Sequence, residues 1–309
     1  MGGRDQSFVR PDRRVFALGA AASAFLVPIF AEADPAPATP DPVPDSVLAA
    51  SVDLSDRMTV PVMVNGRGPF PFVIDTGANR SVVSDTLAGQ LGLPASGSVQ
   101  VKAATGVART DSVKVESLIV GRRHLTNFQA PVLQVDNLGA LGMLGIDAVS
   151  DQRLVMDFRK KQMTLTTSVP RELEAGTLVV QAKSRYGQLL LVDSEVEGIP
   201  LYVIIDTGSE ITVGNEAMRT FLARRRAERV DVVDVAGGTA RVDLGLLPEL
   251  HVGKVAVRNE QVAYADLYVF EHLGLHGKPS MLLGMSTLRK CAKVSIDFPA
   301  REVRFLLEA

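Results

Sequence analysis

Residues 72–78 read Phe-Val-Ile-Asp-Thr-Gly-Ala, and residues 203–209 read Val-Ile-Ile-Asp-Thr-Gly-Ser. In both stretches an apolar run typical of a buried strand ends at an aspartate, and Thr-Gly follows it. The two aspartates, Asp75 and Asp206, stand 131 residues apart in a chain of 309. A single Asp-Thr-Gly often arises by chance, but a second copy behind a second apolar run indicates an internal duplication.

The sequence after each copy repeats as well. Another apolar run follows, and then a residue that favours the N-terminus of a helix, Ser84 in the first copy and Asn215 in the second. Farther along, residues 118–121, 143–145 and 155–158 match residues 250–253, 282–284 and 295–298. The spacing grows by about seven residues between 253 and 284, so we predict a longer loop there, at residues 271–280.

The rest of the sequence has the pattern of a β protein. Short runs rich in Val, Leu and Ile predict strands at Met58–Val64, 99–102, 112–120, 189–196 and 250–257. Helical patterns are few and cover 84–91, 215–226 and 286–290. We therefore predict a mostly β fold of two lobes with short helices. The N-terminal lobe is expected at 47–169 and the C-terminal lobe at 170–309, with 170–178 as the connection.

Two such turns facing each other about a pseudo-twofold axis would bring Asp75 and Asp206 together. Two carboxylates about 3 Å apart cannot both ionise, so they share one proton and titrate as a pair. The ionised carboxyl can then take a proton from water, while the protonated one supplies a proton to a leaving amide nitrogen. This chemistry hydrolyses a peptide bond without a metal ion or a covalent intermediate.

On these residues the chain resembles the retropepsin-like (retroviral-type) aspartic proteases, in a single-chain form with two fused Asp-Thr-Gly repeats. The family pattern also includes a flap hairpin and two apolar residues before a glycine, which residues 143–145 and 282–284 supply. The resemblance covers nearly all of residues 55–307. It implies the bilobal aspartic-protease fold (retropepsin/pepsin-like), with two pseudo-twofold-related β lobes, and an aspartic-type endopeptidase with Asp75 and Asp206 as catalytic residues.

The resemblance also implies which residues support the site. The residues that shape the two active-site turns are Thr76, Gly77, Ala78, Thr207, Gly208 and Ser209, and the two threonines are expected to hold the turns together across the lobe interface. The flap residues, expected to cover a bound substrate, are Thr105, Gly106, Gly237 and Gly238. The family often has Arg directly after the apolar-apolar-Gly motif, where Ile146 and Met285 stand here, so the salt bridge of that Arg is not predicted.

The two turns differ in one residue that bears on the acidity of the aspartates. Ser209 follows the second Asp-Thr-Gly, whereas Ala78 follows the first. A serine hydroxyl can donate a hydrogen bond to an ionised carboxylate, and such a bond lowers the pKa of the acid. We therefore predict that Asp206 is the more acidic member of the pair, through a bond from Ser209.

The N-terminus has the pattern of an export signal over residues 1–33. Four arginines precede an apolar, Ala-rich run, and 31–33 has the small-x-small form of a cleavage site. Arg13 and Arg14 with Phe16 resemble the twin-arginine motif, while the general secretory route stays open. Residues 34–46 are a Pro-rich linker. We expect a periplasmic or secreted protein, with an uncleaved N-terminal membrane anchor as the alternative.

Composition argues against several other classes of function. The net charge is −2, Trp is absent and aromatic residues make up 5%, which disfavours a nucleic-acid partner. The single cysteine and the four histidines lack metal-ligand spacing, so no metal and no cofactor is expected. We expect a monomer that acts on a polypeptide substrate, such as a periplasmic or membrane-anchored protein. The alternative is a catalytically idle peptide-binding module with the same fold.

Overall fold

The computed structural model describes residues 15–18, 46–48, 51–52, 58–170, 172–222 and 228–307. Most of the predicted export signal and linker lies outside these residues. Among them, no helix combines the length and the apolar character that crossing a membrane requires.

The described residues form twenty-four strands and six short helices. The strands of the first half are β1 (Val15–Leu18), β2 (Ser46–Leu48), β3 (Ser51–Val52), β4 (Met58–Val64), β5 (Arg67–Ile74), β6 (Val82–Ser84), β7 (Ala95–Ala103), β8 (Gly106–Val120), β9 (Arg123–Leu133), β10 (Gly142–Leu144), β11 (Arg153–Asp157) and β12 (Gln162–Thr166). Those of the second half are β13 (Thr177–Arg185), β14 (Gln188–Leu191), β15 (Ser194–Val196), β16 (Ile199–Pro200), β17 (Tyr202–Ile205), β18 (Thr212–Gly214), β19 (Glu228–Asp234), β20 (Thr239–Val252), β21 (Val255–Tyr264), β22 (Ser280–Leu283), β23 (Cys291–Asp297) and β24 (Glu302–Leu307). The helices are α1 (Asp85–Leu91), α2 (Val135–Leu138), α3 (Ile146–Val149), α4 (Glu216–Leu222), α5 (Tyr268–His272) and α6 (Met285–Leu288).

Each half places its Asp-Thr-Gly after the same kind of central strand. In the N-terminal lobe, β5 pairs in parallel with β10, so that Ile74 lies beside Leu144, and β10 pairs antiparallel with β6. In the C-terminal lobe, β17 pairs in parallel with β22, and β22 pairs antiparallel with β18. These central strands are apolar because both of their faces are covered. The predicted mostly β, bilobal fold with few short helices is confirmed.

A shared sheet joins the two lobes. Its strands run in the order β13, β24, β23, β11, β12, β2, and β11 from the first half lies antiparallel to β23 from the second. The strand β11, which we assigned to the N-terminal lobe, therefore pairs with β23 of the C-terminal lobe, and β12 continues the same sheet beside β11. Their inward side chains, such as Met156 and Ile296, belong to the same apolar core as those of both lobes.

Two ion pairs cross this shared sheet, and they occupy equivalent places in the two repeats. Arg153 lies opposite Asp297, and Lys293 lies opposite Asp157. The Arg153 guanidinium binds Asp297 at 2.6 and 2.7 Å, with only 4% of the arginine side chain and none of the aspartate exposed. The Lys293 ammonium lies 3.8 Å from Asp157, and 29% of its side chain is exposed. Divergence has therefore left one buried ion pair and one exposed ion pair.

The predicted helix caps are confirmed, and two predicted strands are wrong. The Ser84 hydroxyl accepts from the amide of Leu87, and the Asn215 side chain accepts from that of Met218. The strand predicted at 189–196 is broken after residue 191 into β14 and β15. The strand predicted at 250–257 is instead a hairpin, because Gly253 turns the chain with a positive φ of 57°.

Replacing Arg153 by Met is expected to lower the free energy of unfolding by about 3–5 kcal/mol, because Asp297 would then stay buried without its counter-charge. Lys293→Met is the matched control. Since its ion pairs are partly exposed, we expect a loss of about 1 kcal/mol or less. Urea unfolding at neutral pH measures both values. Equal losses in the two variants would contradict the assignment of the larger effect to burial.

Candidate active site

Asp75 and Asp206 lie where the central strands β5 and β17 end. The amide of Asp75 donates to the carbonyl of Leu144 at 2.9 Å, and that of Asp206 donates to the carbonyl of Leu283 at 3.1 Å. The neighbouring parallel strand thus fixes the backbone of each aspartate. Both residues are completely buried. The apolar-apolar-Gly motif recognised in the sequence is therefore the strand that holds the Asp-Thr-Gly in place.

Within each turn, backbone amides hold one oxygen of the carboxyl. Oδ1 of Asp75 accepts from the amides of Gly77 at 2.8 Å and Ala78 at 3.0 Å. Oδ1 of Asp206 accepts from the amide of Gly208 at 3.0 Å. The other oxygen of each carboxyl, Oδ2, is buried and receives no hydrogen bond from any group among the described residues, apart from the paired aspartate when that is protonated. Both aspartates therefore keep one oxygen available for a proton or a substrate.

The two threonines join the turns by four hydrogen bonds across the pseudo-twofold axis. Thr76 Oγ1 donates to the carbonyl of Ile205 at 2.8 Å, and Thr207 Oγ1 donates to that of Ile74 at 2.7 Å. Each hydroxyl also accepts the amide of the other threonine at 3.1 Å. The contacts of the two threonines across the lobe interface, which the sequence analysis expected, are therefore present. All these groups are buried, so water cannot replace a lost partner.

The glycines of the two turns bring each carboxyl close to the opposite turn. A Cβ atom on Gly77 would lie 2.9 Å from Cγ of Asp206, and one on Gly208 would lie 2.2 Å from Cγ of Asp75. Neither distance is compatible with a side chain at the glycine. Each Asp-Thr-Gly thus needs its glycine to accommodate the aspartate of the other lobe, and the two carboxyls become neighbours.

Burial and proximity give the two carboxyls different proton affinities. Burial is the largest cause for both, and it raises the pKa of each above its ordinary value. The neighbouring Asp206 charge raises the pKa of Asp75 further, well above the usual range. The hydrogen bond with Asp75 acts in the opposite direction on the pKa of Asp206 and favours its ionised form. The pair therefore shares one proton over a range of pH.

The predicted hydrogen bond from the Ser209 hydroxyl to Asp206 is wrong. Ser209 Oγ donates to the carbonyl of Ile211 at 2.7 Å, which uses the only proton of the hydroxyl. The backbone amide of Ser209, not its side chain, helps to lower the pKa of Asp206. Burial raises the pKa of Asp206, while the contact with Asp75 and the amides of Gly208 and Ser209 act in the opposite direction. That Asp206 is the more acidic member stays a prediction.

Sequence reasoning missed the side chains that brace the turns from below. In the first lobe, the Ser81 hydroxyl donates to Asp147 at 2.7 Å and accepts from the amide of Gly145. In the second lobe, Thr212 takes the equivalent place, bonds to Thr287 at 2.5 Å and accepts from the amide of Gly284. The available signal was the recurrence of a hydroxyl residue, Ser81 and Thr212, at the same position of the repeat.

A salt bridge also forms beside the second turn, although the family arginine is missing. Glu210 directly follows Ser209, and its carboxylate binds Arg289 at 3.0 Å. Arg289 stands four residues after Met285, one helical turn beyond the position where the family often has Arg. The second lobe therefore has a salt bridge beside its turn that does not involve position 285, where the family often has Arg.

Two hairpins contact each other through their tips, which lie at the residues assigned to the flaps from the sequence. Flap 1 is the hairpin β7–β8, and flap 2 is the hairpin β19–β20. At the tip of flap 1, the amide and hydroxyl of Thr105 donate to Oδ2 of Asp234 in flap 2 at 2.9 and 2.6 Å. The other oxygen of Asp234 accepts from the amides of Ala236 and Gly238 in its own flap. The sequence analysis missed Asp234, which is buried and links the two flaps.

The flap glycines occupy different surroundings. A Cβ atom on Gly238 would lie 2.0 Å from Oγ1 of Thr105, so this glycine permits the contact between the tips. Gly237 lies against Asn137 of α2, whereas Gly106 has open space and a φ of 151°. Val235 of flap 2 packs in one apolar cluster with Ala78 of the first turn. The closed flaps therefore lie against the active-site turns, in agreement with the complete burial of both aspartates.

A family model described as aspartyl protease matches the chain twice, at residues 60–148 and at 192–287. Each match contains one Asp-Thr-Gly and the apolar-apolar-Gly strand beside it. No curated protein matches the chain.

The raised pKa of Asp75 makes stability depend on pH. The folded protein binds the proton of Asp75 more tightly than the unfolded chain does, so its contribution to stability is full below about pH 4. This contribution is lost as pH rises through the folded-state pKa. Asp75→Asn cannot ionise, and we therefore expect its unfolding free energy to fall less than that of wild type between pH 4 and 8. Urea unfolding across this range measures the difference. The control Asp111→Asn, which changes an exposed carboxylate, is expected to follow wild type.

Removing the hydroxyl of Thr105 is expected to loosen the flap tips. In Thr105→Val the bond to the Asp234 carboxylate is lost, whereas Thr105→Ser keeps it. We expect amide hydrogen exchange across 103–107 to become roughly tenfold faster in the Val variant only, since a hydrogen bond to a charged group contributes about 1.5–3 kcal/mol. Exchange followed by mass spectrometry tests this. Identical rates in the Val and Ser variants would show that the hydroxyl does not hold the flaps together.

Proposed function

Because the chain belongs to the aspartyl protease family, we propose that it is an aspartic endopeptidase that hydrolyses peptide bonds of exported or membrane-anchored proteins. The observation that carries the proposal is the buried pair of adjacent carboxyls, Asp75 and Asp206, with one proton between them. This is the protonation state that hydrolysis by general acid and general base requires. Each half of the chain contributes one carboxyl, so a monomer is sufficient for activity.

The proposed reaction uses the two free Oδ2 atoms. The ionised Asp206 takes a proton from a water molecule as the water oxygen attacks the carbonyl carbon of the scissile peptide. The protonated Asp75 hydrogen-bonds to the carbonyl oxygen, which becomes negative as the tetrahedral intermediate forms. Asp206 then passes the proton that it took from the water to the amide nitrogen as the C–N bond breaks, which releases an amine and a carboxylic acid and leaves Asp206 ionised and Asp75 protonated again. The backbone amides at Oδ1 keep both carboxyls oriented throughout.

Access to the pair requires the flaps to open. With flap 1 and flap 2 joined through Thr105 and Asp234, neither carboxyl is exposed. A polypeptide in extended form would enter when the tips separate and would be enclosed when they close. Exclusion of water strengthens the electrostatic interactions at the reacting atoms. This gating favours cleavage of a few accessible chains over general digestion.

The proposed location rests on the N-terminal sequence. The basic residues, the apolar run and the small-x-small motif within 1–33 favour export, by the twin-arginine or the general secretory route. The periplasm, or the medium after secretion, is then where the enzyme meets its substrates. An uncleaved N-terminal segment would instead hold the enzyme at the membrane, close to membrane-anchored substrates.

The proposal predicts that hydrolysis depends on both aspartates. Against a diverse peptide library, we expect Asp75→Asn and Asp206→Asn each to lower kcat/KM by about 100- to 10 000-fold, the usual contribution of acid–base catalysis. The wild-type rate should fall at low pH, where Asp206 becomes protonated, and at high pH, where Asp75 loses its proton. Asp111→Asn serves as the control. Activity that survives either substitution would contradict the shared pair, and wild-type protein that binds peptides without cleaving them would favour the peptide-binding module.

A further inference from the structure

Five side chains from three separate elements meet beside flap 1. We call this group the cationic rim, and its members are Lys102 on β7, Arg185 and Tyr186 at the turn between β13 and β14, and Tyr268 and His272 on α5. One element belongs to the N-terminal lobe and two belong to the C-terminal lobe. None of these residues takes part in the chemistry proposed above.

Aromatic rings hold the two permanent cations of the rim in place. The Lys102 ammonium donates to the hydroxyl of Tyr268 and lies 4.4 Å from the centre of the same ring. The Arg185 guanidinium lies 6.0 Å from the ring of Tyr186. The His272 ring lies between the two tyrosines, with its centre 5.9 Å from that of the Tyr268 ring and 4.7 Å from that of the Tyr186 ring. Contacts of this kind favour a positive charge over the ring face and limit the motion of long side chains.

The rim lies at one end of the substrate cleft. Gln188 follows Arg185 by three residues, and its side chain donates to the carbonyl of Gly77 in the first active-site turn at 2.6 Å. Lys102 stands two residues before Ala104 at the tip of flap 1, and Ala104 packs into the apolar cluster of the C-terminal lobe. The rim is therefore tied to the first catalytic turn on one side and to the flap on the other.

The electrostatic environment of the rim is positive. Burial, Lys102 and Arg185, in that order, lower the pKa of His272 and keep its imidazole neutral near pH 7. The positive charges of Lys102 and Arg185 therefore both act on the His272 ring. Tyr186 is 62% exposed, so the rim is open to solvent. A carboxylate that arrived here could accept hydrogen bonds from both an ammonium and a guanidinium, which are strong, charge-assisted bonds.

The opposite end of the cleft has a different character. There, flap 2 meets α2, and the contact is between Gly237 and the amide side chain of Asn137. The same short helix contains Asp136 and no basic residue. The two cleft ends are related by the pseudo-twofold axis, and among the described residues the α5 end has a pair of cations whereas α2 has none. A peptide substrate can therefore distinguish one end from the other by charge.

We propose that the cationic rim is a specificity subsite that binds an acidic side chain of the substrate, on one side of the scissile bond only. The proposal deepens the proposed endopeptidase function and rests on it. Lys102 and Arg185 would hold the carboxylate, and Tyr268 and Tyr186 would orient the two cations. An Asp or Glu at the matching substrate position would fix the direction in which the chain lies in the cleft.

The first test scans Asp against Asn through each position of a cleavable peptide. Wild-type protein is expected to prefer Asp by roughly tenfold in kcat/KM at a position on one side of the scissile bond, and the preference should shrink in 1 M salt. In the double variant Lys102→Met, Arg185→Gln we expect the Asp/Asn ratio to fall towards one. Lys183→Gln, which removes an exposed charge from the same strand as Arg185, should keep the wild-type ratio. An Asp/Asn ratio near one in wild type, or a ratio that survives the double substitution, would overturn the proposal.

A binding assay separates this proposal from the function on which it rests. Fluorescently labelled Asp and Asn peptides are titrated onto Asp75→Asn protein, and the anisotropy gives both Kd values without any cleavage. Tighter binding of the Asp peptide, lost when Lys102→Met and Arg185→Gln are added, supports the subsite even where wild type proves to be inactive. Wild-type cleavage with equal binding of the two peptides would overturn the subsite and leave the endopeptidase intact. For the combined variant, unfolding in urea shows that the fold persists, and Arg185→Gln alone provides a milder substitution.

Discussion

The ring of four hydrogen bonds between Thr76 and Thr207 is the constraint on which the site depends. Each hydroxyl is at once a donor to the opposite strand and an acceptor for the opposite amide, a double role that valine cannot fill. Because the ring joins the residues directly before and after each aspartate, it holds the two turns together. The glycines beside it then allow each carboxyl to lie against the other turn. Burial is the largest cause of the raised pKa of Asp75, and the ring adds the second cause by holding the Asp206 charge close to it.

Around this axis, the duplicated halves have kept their framework and changed their side chains. The parallel pairing of the central strands is the same in both lobes. The bracing below the turns is a hydroxyl and a carboxylate in one lobe and two hydroxyls in the other. The ion pairs of the shared sheet have likewise become one buried and one exposed pair. Covalent fusion permits these differences, because each half is encoded separately and need not satisfy both positions at once.

Local pattern in the sequence was sufficient to predict the duplication, the class of fold, the helix caps and the two aspartates. These features repeat, and each depends on neighbours within a few residues along the chain. The hairpin at 250–257 was missed because the Val and Leu residues on both sides of Gly253 were read as one strand, although Gly253 and Lys254 between them mark the turn. Asp234 was missed because its partner Thr105 is 129 residues away in the sequence. The predicted bond from Ser209 to Asp206 was wrong because a hydroxyl can donate only one hydrogen bond, and Ser209 donates it to the carbonyl of Ile211.

The crossed placement of the glycines has a genetic consequence. A side chain introduced at Gly208 would leave its own Asp206 attached to an intact strand, and it would displace Asp75 in the other half of the gene. The substitution would therefore lie in one repeat, and the residue that it displaces would lie in the other. After duplication, residues far from the pseudo-twofold axis can change independently in the two halves. At the axis, a substitution in one half is selected for its fit to the residues of the other half. A second-site change that restored such a mutant would be sought in the repeat that does not carry the original substitution.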